Sequence, residues 1–283
     1  LWLPPLMIDP YQPNVVYIGG GGIESQNHMV RVTYGISGME SEDMPYTFDS
    51  KVSAMAFSPV TNHNWYVSTE DGNFYYSTTM GQEFTQTASF SGPESHYFNR
   101  SSILPSPVDE DRIYIGGSVY SNPPIYLSED GGNSFVGFSD GLPSTLVYGM
   151  ASLPDESMIF AATEVGPYAY SHEEGTWEEM SGEDAPEQVY WSVEYIHEIR
   201  TVRFGTYGRG IWDFIVNQDI DIILGDLNQD QNVDILDVVV MVNLILGGSP
   251  TPTELFIADL NTDGFLNIQD IILLVNNLIL SSP

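Results

Sequence analysis

The sequence predicts a mainly β body of repeated small sheets followed by a short all-α module, and three observations carry that prediction. Short strands that end in proline recur at Pro10, Pro59, Pro107 and Pro154. Each precedes a strand centred on an aromatic residue, and these aromatics (Tyr17, Tyr66, Tyr114, Phe160 and a fifth at Phe204) are spaced 44 to 49 residues apart. The 283 residues are 42% hydrophobic and 12% aromatic, with 17 Tyr, 13 Phe and 5 Trp, which is packing material for half-buried pleated surfaces rather than a disordered composition. From Gly225 onward the pattern changes to two acidic loops, each opening an apolar run with helical spacing.

The first element in order is the repeated body, residues 1–216. A repeat of roughly 40 to 50 residues holding several short strands is how β-propeller blades read in sequence, each blade burying its faces only against its neighbours. About five blades are visible, the last without an outer strand after Val216. Closing a ring then requires a strand from the N-terminus, or the chain is the C-terminal portion of a larger propeller. A sharper internal match, Thr69-Glu70-Asp71-Gly72 leading to Tyr76-Ser77, returns 94 residues later as Thr163-Glu164-Val165-Gly166 leading to Tyr170-Ser171. Gly adopts positive φ at little cost, so the step reads as a tight turn between adjacent strands.

After that turn comes Ser128-Glu129-Asp130-Gly131-Gly132-Asn133-Ser134-Phe135, of the form S-x-D-x-G-x-x-F, with weakened copies at Ser77–Phe84 and Ser171–Trp177. Ser and Asp bond the hairpin backbone, Gly turns it, and the aromatic plugs back into the sheet. These residues resemble the Asp-box, or BNR repeat, of sialidases, sortilin-like propellers and xyloglucan-degrading enzymes, where the motif is structural. The run Phe204-Gly205-Thr206-Tyr207-Gly208-Arg209-Gly210-Ile211-Trp212 resembles the closing strand of bacterial propellers of that type.

Residues 217–224 (NQDIDIIL) read as a short strand or linker into the module at 225–283. The module's first loop supplies Asp226, Asn228, Asp230, Asn232, Asp234 and Asp237; the second, offset by 33 residues, supplies Asp259, Asn261, Asp263, Phe265, Asn267 and Asp270. A hard Ca²⁺ ion takes six to eight oxygens, and side-chain oxygens at places 1, 3, 5 and 12 with a backbone carbonyl at place 7, here Asn232 and Phe265, surround it. Mg²⁺ wants a tighter octahedron and Zn²⁺ wants nitrogen or sulfur, so two Ca²⁺ ions are the cofactors expected. The competing reading is a metal-free turn in which Asp234 and Asn267 only cap their helices. The helices repeat as well, Ile235, Val238, Val239, Val242, Ile245 and Leu246 mapping onto Ile268, Ile271, Ile272, Val275, Leu278 and Ile279.

This pattern is similar to type I dockerins over Gly225 to Leu280. The resemblance implies half EF-hand loops, secretion, and docking onto cohesin domains in extracellular assemblies. Two departures stand out: Gln231 occupies the place where such a turn favours Gly, and the places that commonly contact cohesin hold Ile235-Leu236 and Ile268-Gln269 rather than small hydroxyl pairs. Helix one is apolar nearly all round, so it needs cover on more than one side: its sister helix, and then this chain's propeller, a cohesin-like domain or a neighbouring copy.

Charge and composition exclude several functions. Thirty-nine Asp and Glu face seven Lys and Arg, a formal charge of −32, which repels nucleic-acid phosphates and anionic lipid heads while attracting multivalent cations. There is no cysteine, hence no disulfide or thiolate chemistry. The longest apolar runs stop at Asn243 and Asn276, too short to span a bilayer. No His pair has metal-type spacing, no Ser sits in a nucleophile elbow, and the Gly19–Gly22 run lacks a following Lys. Arginines spread without the sialidase cluster argue against that chemistry. Exposed aromatics such as Tyr75, Tyr76, Tyr207 and Trp212 are candidates for stacking on sugars, though such residues usually sit in blade cores. The leading expectation is a secreted, non-catalytic propeller that assembles through its calcium module. The alternative is a xyloglucanase-like glycoside hydrolase, whose catalytic carboxylates the sequence does not single out.

Overall fold

The computed structural model describes residues 4–9, 12–20, 27–36, 38–88, 90, 102–117, 123–182, 185–216, 224–228, 232–247, 250, 252–261 and 264–281. The chain divides into two compact units, Leu1–Val216 and Asn217–Pro283.

The first unit holds five antiparallel sheets, each following chain order from its first strand outward. Sheet one comprises β1 (Leu6–Ile8), β2 (Val15–Gly19), β3 (His28–Gly35) and β4 (Gly38–Thr47). Sheet two has β5 (Val52–Phe57), β6 (Trp65–Thr69), β7 (Phe74–Ser77) and β8 (Thr85–Gln86). Sheet three has β9 (Ser102–Pro105), β10 (Ile113–Gly116), β11 (Ile125–Ser128) and β12 (Val136–Gly137). Sheet four has β13 (Val147–Ser152), β14 (Met158–Thr163), β15 (Pro167–Ser171) and β16 (Thr176–Glu179). Among the described residues sheet five has three strands, β17 (Tyr190–Ile196), β18 (Thr201–Thr206) and β19 (Ile211–Ile215). The first strands of successive sheets lie side by side, β1 against β5, β5 against β9, β9 against β13 and β13 against β17, as blades around a central axis do.

The recurring prolines Pro59, Pro107 and Pro154 stand just past β5, β9 and β13, Pro10 lying outside the described residues, and the aromatic marks Tyr17, Tyr66, Tyr114, Phe160 and Phe204 all fall in second strands and are buried. Second strands have sheets on both sides, so β6 and β10 are buried along their whole length instead of alternating. Four hydrophobic clusters fill the gaps between consecutive sheets. One joins Tyr17 and Phe48 to Trp65 and Tyr75, the next Tyr66 and Phe74 to Ile113 and Ile115, the third Tyr114 to Val147 and Ile159, and the last Phe160 to Tyr190 and Phe204. Gly116 ends β10 where β13 crosses it, and a Cβ there would lie 2.8 Å from Val147 Cγ1.

Two expectations change. Leu6–Ile8 pairs with β2 inside sheet one, so that strand does not complete sheet five. The run from Phe204 to Trp212 is a hairpin rather than one closing strand, because Gly208 and Gly210, at φ 91° and 82°, turn the chain between β18 and β19. The outward faces of sheets one and five keep apolar side chains in solvent, Leu6, Ile8, Tyr34 and Met39 on one and Ile211 and Ile215 on the other.

In the second unit, α1 (Ile235–Gly247) and α3 (Ile268–Ser281) pack together, and a short helix the sequence reading did not anticipate, α2 (Pro252–Ala258), lies between them in the chain. Val238, Met241, Ile257, Ala258, Leu274 and Leu227 form its core. Residues 217–223 of the expected linker lie outside the described residues. No described helix is long and apolar enough to cross a membrane.

Candidate functional site

The two acidic loops of the second unit are folded back by their own last carboxylates. Asp237 Oδ1 accepts the backbone N–H of Leu227 at 2.8 Å and of Asn228 at 3.1 Å, while its Oδ2 accepts the N–H of Asp234 at 2.8 Å. Asp270 repeats the set with Leu260 at 3.0 Å, Asn261 at 3.4 Å and Asn267 at 3.0 Å. Place 12 is thereby tied to places 2, 3 and 9 in both loops. The other half of a capping box is also present: Asp234 Oδ1 accepts the Leu236 N–H at 2.7 Å, and Asn267 Oδ1 accepts the Gln269 N–H at 2.8 Å. Capping and metal binding are compatible uses of these side chains, because a carboxylate that accepts N–H bonds retains lone pairs for a cation.

The donor set is all oxygen, and its charge is hard to leave alone. Asp226, Asp237 and Asp270 are buried, and residues 217–283 contain no Lys or Arg. Buried carboxylates of one sign require a cation or extensive hydrogen bonding. In the second loop Gly264, at φ 81°, directs its N–H to Asp259 Oδ2 at 2.8 Å, the turn an oxygen-ligated loop of this length needs at its sixth place. The residues therefore fit Ca²⁺. Asn261 Nδ2 donates to Gln269 Oε1 at 3.2 Å, and the Phe265 carbonyl, the expected place-7 ligand, accepts Asn267 Nδ2 at 3.1 Å. Asp226 opens loop one and Asn228 and Asn232 lie along it; Asp230, Asp263 and Gln231 lie outside the described residues. The four side chains expected to meet a partner, Ile235, Leu236, Ile268 and Gln269, are all exposed, and Val239 and Ile272 extend the apolar surface one turn along each helix. Helix α1 is thus not buried all round: Val238 and Met241 face the core.

In the first unit the S-x-D-x-G-x-x-F segment makes a self-bonded hairpin. Ser128 Oγ accepts the Gly132 N–H at 2.9 Å and donates to Asp130 Oδ1 at 2.9 Å. Asp130 in turn accepts the Ser134 N–H at 2.8 Å and its hydroxyl at 2.6 Å. Slight desolvation would raise the Asp130 carboxyl, but the Ser134 and Ser128 bonds outweigh it and hold the group below the usual carboxylate range. Gly132, at φ 95°, lies against sheet two, where a Cβ would meet Phe74 at 2.9 Å, and Phe135 stacks on Phe90 at 4.4 Å. The weaker copies keep the Ser and the aromatic: Ser77 Oγ accepts the Gly81 N–H at 3.1 Å, Phe84 packs on Phe48, and Trp177 is buried beside Tyr170.

A buried polar cluster escaped the sequence reading. Glu156, in the turn after β13 with φ 59°, accepts bonds from Ser106 Oγ and Arg112 Nη1, both at 2.7 Å, tying sheet four to sheet three. Burial, and then the charge of Glu156, raise the Tyr114 hydroxyl far above its ordinary range. No motif announces this cluster, since Arg112 lies 44 residues before its partner. Of the aromatics named as sugar candidates, Tyr75 is core and bonds Asp49 Oδ2 at 3.4 Å, and Tyr76 donates to Asn133 Oδ1 at 2.6 Å. Trp212 Nε1 donates to the Arg209 carbonyl at 3.2 Å, and Tyr207 alone stands well into solvent.

With this geometry in hand, comparisons with known proteins divide along the same line. A search of the curated proteins finds no match. Among solved structures, the first unit's fold is similar to an ancestral GH74 enzyme (TM-score 0.58, 14% identity, 76% of this chain and 31% of that one). It is also similar to the GH74 xyloglucanase from Xanthomonas campestris (0.57, 14%, 75% and 36%) and to a GH74 enzyme of Niastella koreensis (0.55, 17%, 74% and 36%). A nidogen/laminin complex gives 0.53 at 14% identity, covering 72% of each chain. The chain spans about a third of the length of the GH74 enzymes, and at these identities the likeness establishes the fold alone. Residues 224–279 match the dockerin type I domain. The chain is a β-propeller-type body that carries a dockerin type I domain at its C-terminal end.

Proposed function

We propose that this chain is a secreted, non-catalytic propeller protein of a prokaryotic extracellular or cell-surface structure. It assembles through residues 225–283 and docks onto a cohesin-like domain or onto neighbouring copies of itself. Residues 1–216 are the displayed body, built on Asp-box hairpins, and 217–224 the linker. The observation that carries the reading is the exposed apolar side chains at the start of each helix, Ile235 and Leu236 on α1 and Ile268, beside the polar Gln269, on α3, on a domain of the dockerin type. Apolar side chains repeated on two related helices are better explained by a protein partner than by chance exposure.

Two Ca²⁺ ions would be held by Asp226, Asn228, Asp230, Asp234, Asp237 and the Asn232 carbonyl, and by Asp259, Asn261, Asp263, Asp270 and the Phe265 carbonyl with Asn267 close by. The ions supply positive charge to a unit that has no Lys or Arg of its own. The chain's part is to present the oxygens: Asp237 and Asp270 pull each loop onto its helix, so the docking side chains at the helix starts are set by the same carboxylates. A formal charge of −32 supports the exclusion of nucleic acid.

The test is sizing of the purified protein, alone and with a cohesin-type domain, in calcium and then in chelator. Calcium-dependent complex or oligomer formation that Leu236→Asp abolishes is the expected result; assembly state and melting temperature both indifferent to chelator would sink the reading. The alternative, a glycoside hydrolase of xyloglucanase type anchored by its dockerin and holding a glycan, draws on the names of the GH74 structures of similar fold. It requires two carboxylates roughly 5 to 9.5 Å apart in an open cleft and measurable release of sugar.

A further inference from the structure

Three aromatic side chains with no part in docking meet at the end of the sheets where the first strands begin. In β13 the register slips between Val147 and Gly149, and in β17 between Tyr190 and Ser192. Such a bulge lifts one residue out of the ladder and re-aims its side chain, here Tyr148 and Trp191. The two strands approach closely because residue 149 is glycine: a Cβ there would already lie 3.5 Å from Val193 N and 3.7 Å from Ser192 Cα. The Tyr148 and Trp191 rings stack as a result, with centroids 4.6 Å apart and planes at 24°. Tyr207, from the hairpin between β18 and β19, sets a third ring 6.1 Å from Trp191 at 41°.

The platform is rigid and wet. Tyr207 N–H bonds the Val189 carbonyl at 3.0 Å, and Thr206 donates its N–H and hydroxyl to the Gly210 carbonyl at 3.0 and 2.7 Å, so the hairpin is pinned to the start of β17. Yet Tyr207 is 76% exposed and Trp191 38%. Tyr148 also walls a cavity of 340 Å³ between the first strands that Ser53, Ser102 and Met55 line, Ser53 Oγ pairing with Ser68 Oγ at 3.0 Å and Ser102 Oγ accepting the Met150 N–H at 3.0 Å. Ser53 occupies the same bulge position in β5. Fixed aromatic faces beside a cavity with hydroxyls suit a ligand with flat C–H faces and many hydroxyl groups. The surrounding charge of −32 disfavours anionic ligands, nucleotides and acidic polysaccharides included.

We propose that Tyr148, Trp191 and Tyr207 form a binding platform for a neutral polysaccharide, whose pyranose rings stack on Trp191 and Tyr207 beside the Tyr148 ring that walls the cavity. The inference rests on the glycan part of the alternative reading above and does not require hydrolysis. Electrophoresis of the full chain through gels containing a soluble neutral β-glucan or mannan, with polygalacturonate as the anionic control, tests it. Retardation by a neutral polymer and none by polygalacturonate is expected, with Tyr207→Ala and Trp191→Ala each binding roughly tenfold more weakly and Trp191→Phe retaining most of the affinity. Met39→Ala, which removes an equally exposed apolar side chain from sheet one, is expected to bind as wild type. If Trp191→Ala does not fold, Tyr207→Ala decides, since its side chain is mostly in solvent. Retardation undiminished in both alanine variants overturns this platform while leaving a glycan ligand standing; no retardation of the wild type by any neutral polymer overturns both.

Discussion

Replacing Asp270 by Ala separates two uses of one carboxylate, holding a cation and holding the loop. The side chain accepts two backbone N–H bonds at 3.0 Å and a weaker one at 3.4 Å, and it is fully buried. Bonds to a charged acceptor contribute about 1.5–3 kcal/mol each, so the two short ones total about 3–6 kcal/mol, and water entering the vacated space returns part of that, leaving about 3 kcal/mol. A unit of the size of residues 217–283 has a stability on the order of 3–10 kcal/mol, so the loss would remove a large share of it. Hydrogen exchange of the α3 amides, measured in excess chelator on the full chain, reads this directly: about 3 kcal/mol is roughly a hundredfold faster exchange. Asp270→Asn, which keeps one acceptor oxygen, is expected to fall between. If the alanine variant and the wild type exchange alike in chelator, the carboxylate serves only the metal and the capping argument is wrong.

Other outcomes follow from the same geometry. Gly116→Ala forces a methyl to 2.8 Å from Val147 Cγ1 between sheets three and four, and overpacking of that kind is expected to lower stability by about 1–3 kcal/mol in a denaturant titration. Glu156→Ala leaves Arg112 and Ser106 without their shared acceptor and is expected to lose about 3 kcal/mol by the same assay, its positive φ being no easier for Ala than for Glu. Asp130 is held below its ordinary value of 3.8, so its contribution is fully present above that pH and is lost as pH falls through the lower folded-state value. Wild type should therefore lose melting temperature more steeply than Asp130→Asn below about pH 4, the two curves running parallel above it. Parallel curves throughout would mean that the hairpin bonds do not depend on the charge.

What the sequence disclosed was whatever repeats or punctuates. The aromatic marks could be read because second strands have sheets on both faces, which forces large apolar residues at the same place in every unit. The prolines could be read because they stop a strand, and the loops of the module because oxygen spacing is dictated by the ion. Helix α2 could not, since seven residues starting at Pro252 show less than two turns of periodicity. Nor could the Tyr148–Trp191 stack: it depends on two register slips and a glycine that brings neighbouring strands together, none of which has a local signature. Tyr75 and Tyr207 look equivalent as residues, yet one sits in a second-sheet strand packed on Phe48 and the other at a hairpin tip.

The three-stranded fifth sheet has a mechanical consequence. If residues 225–283 are the anchor, any pull on the displayed body enters the first unit at Val216, one residue past the end of β19, and Val216 is itself tied back by its N–H to the Arg200 carbonyl at 3.0 Å. In sheets two to four the fourth strand shields the third, but among the described residues β19 has a ladder on one side only, to β18. An edge strand at the point where load enters is where local opening is cheapest. Opening under load is then expected to begin at β19, before the four-stranded sheets are reached.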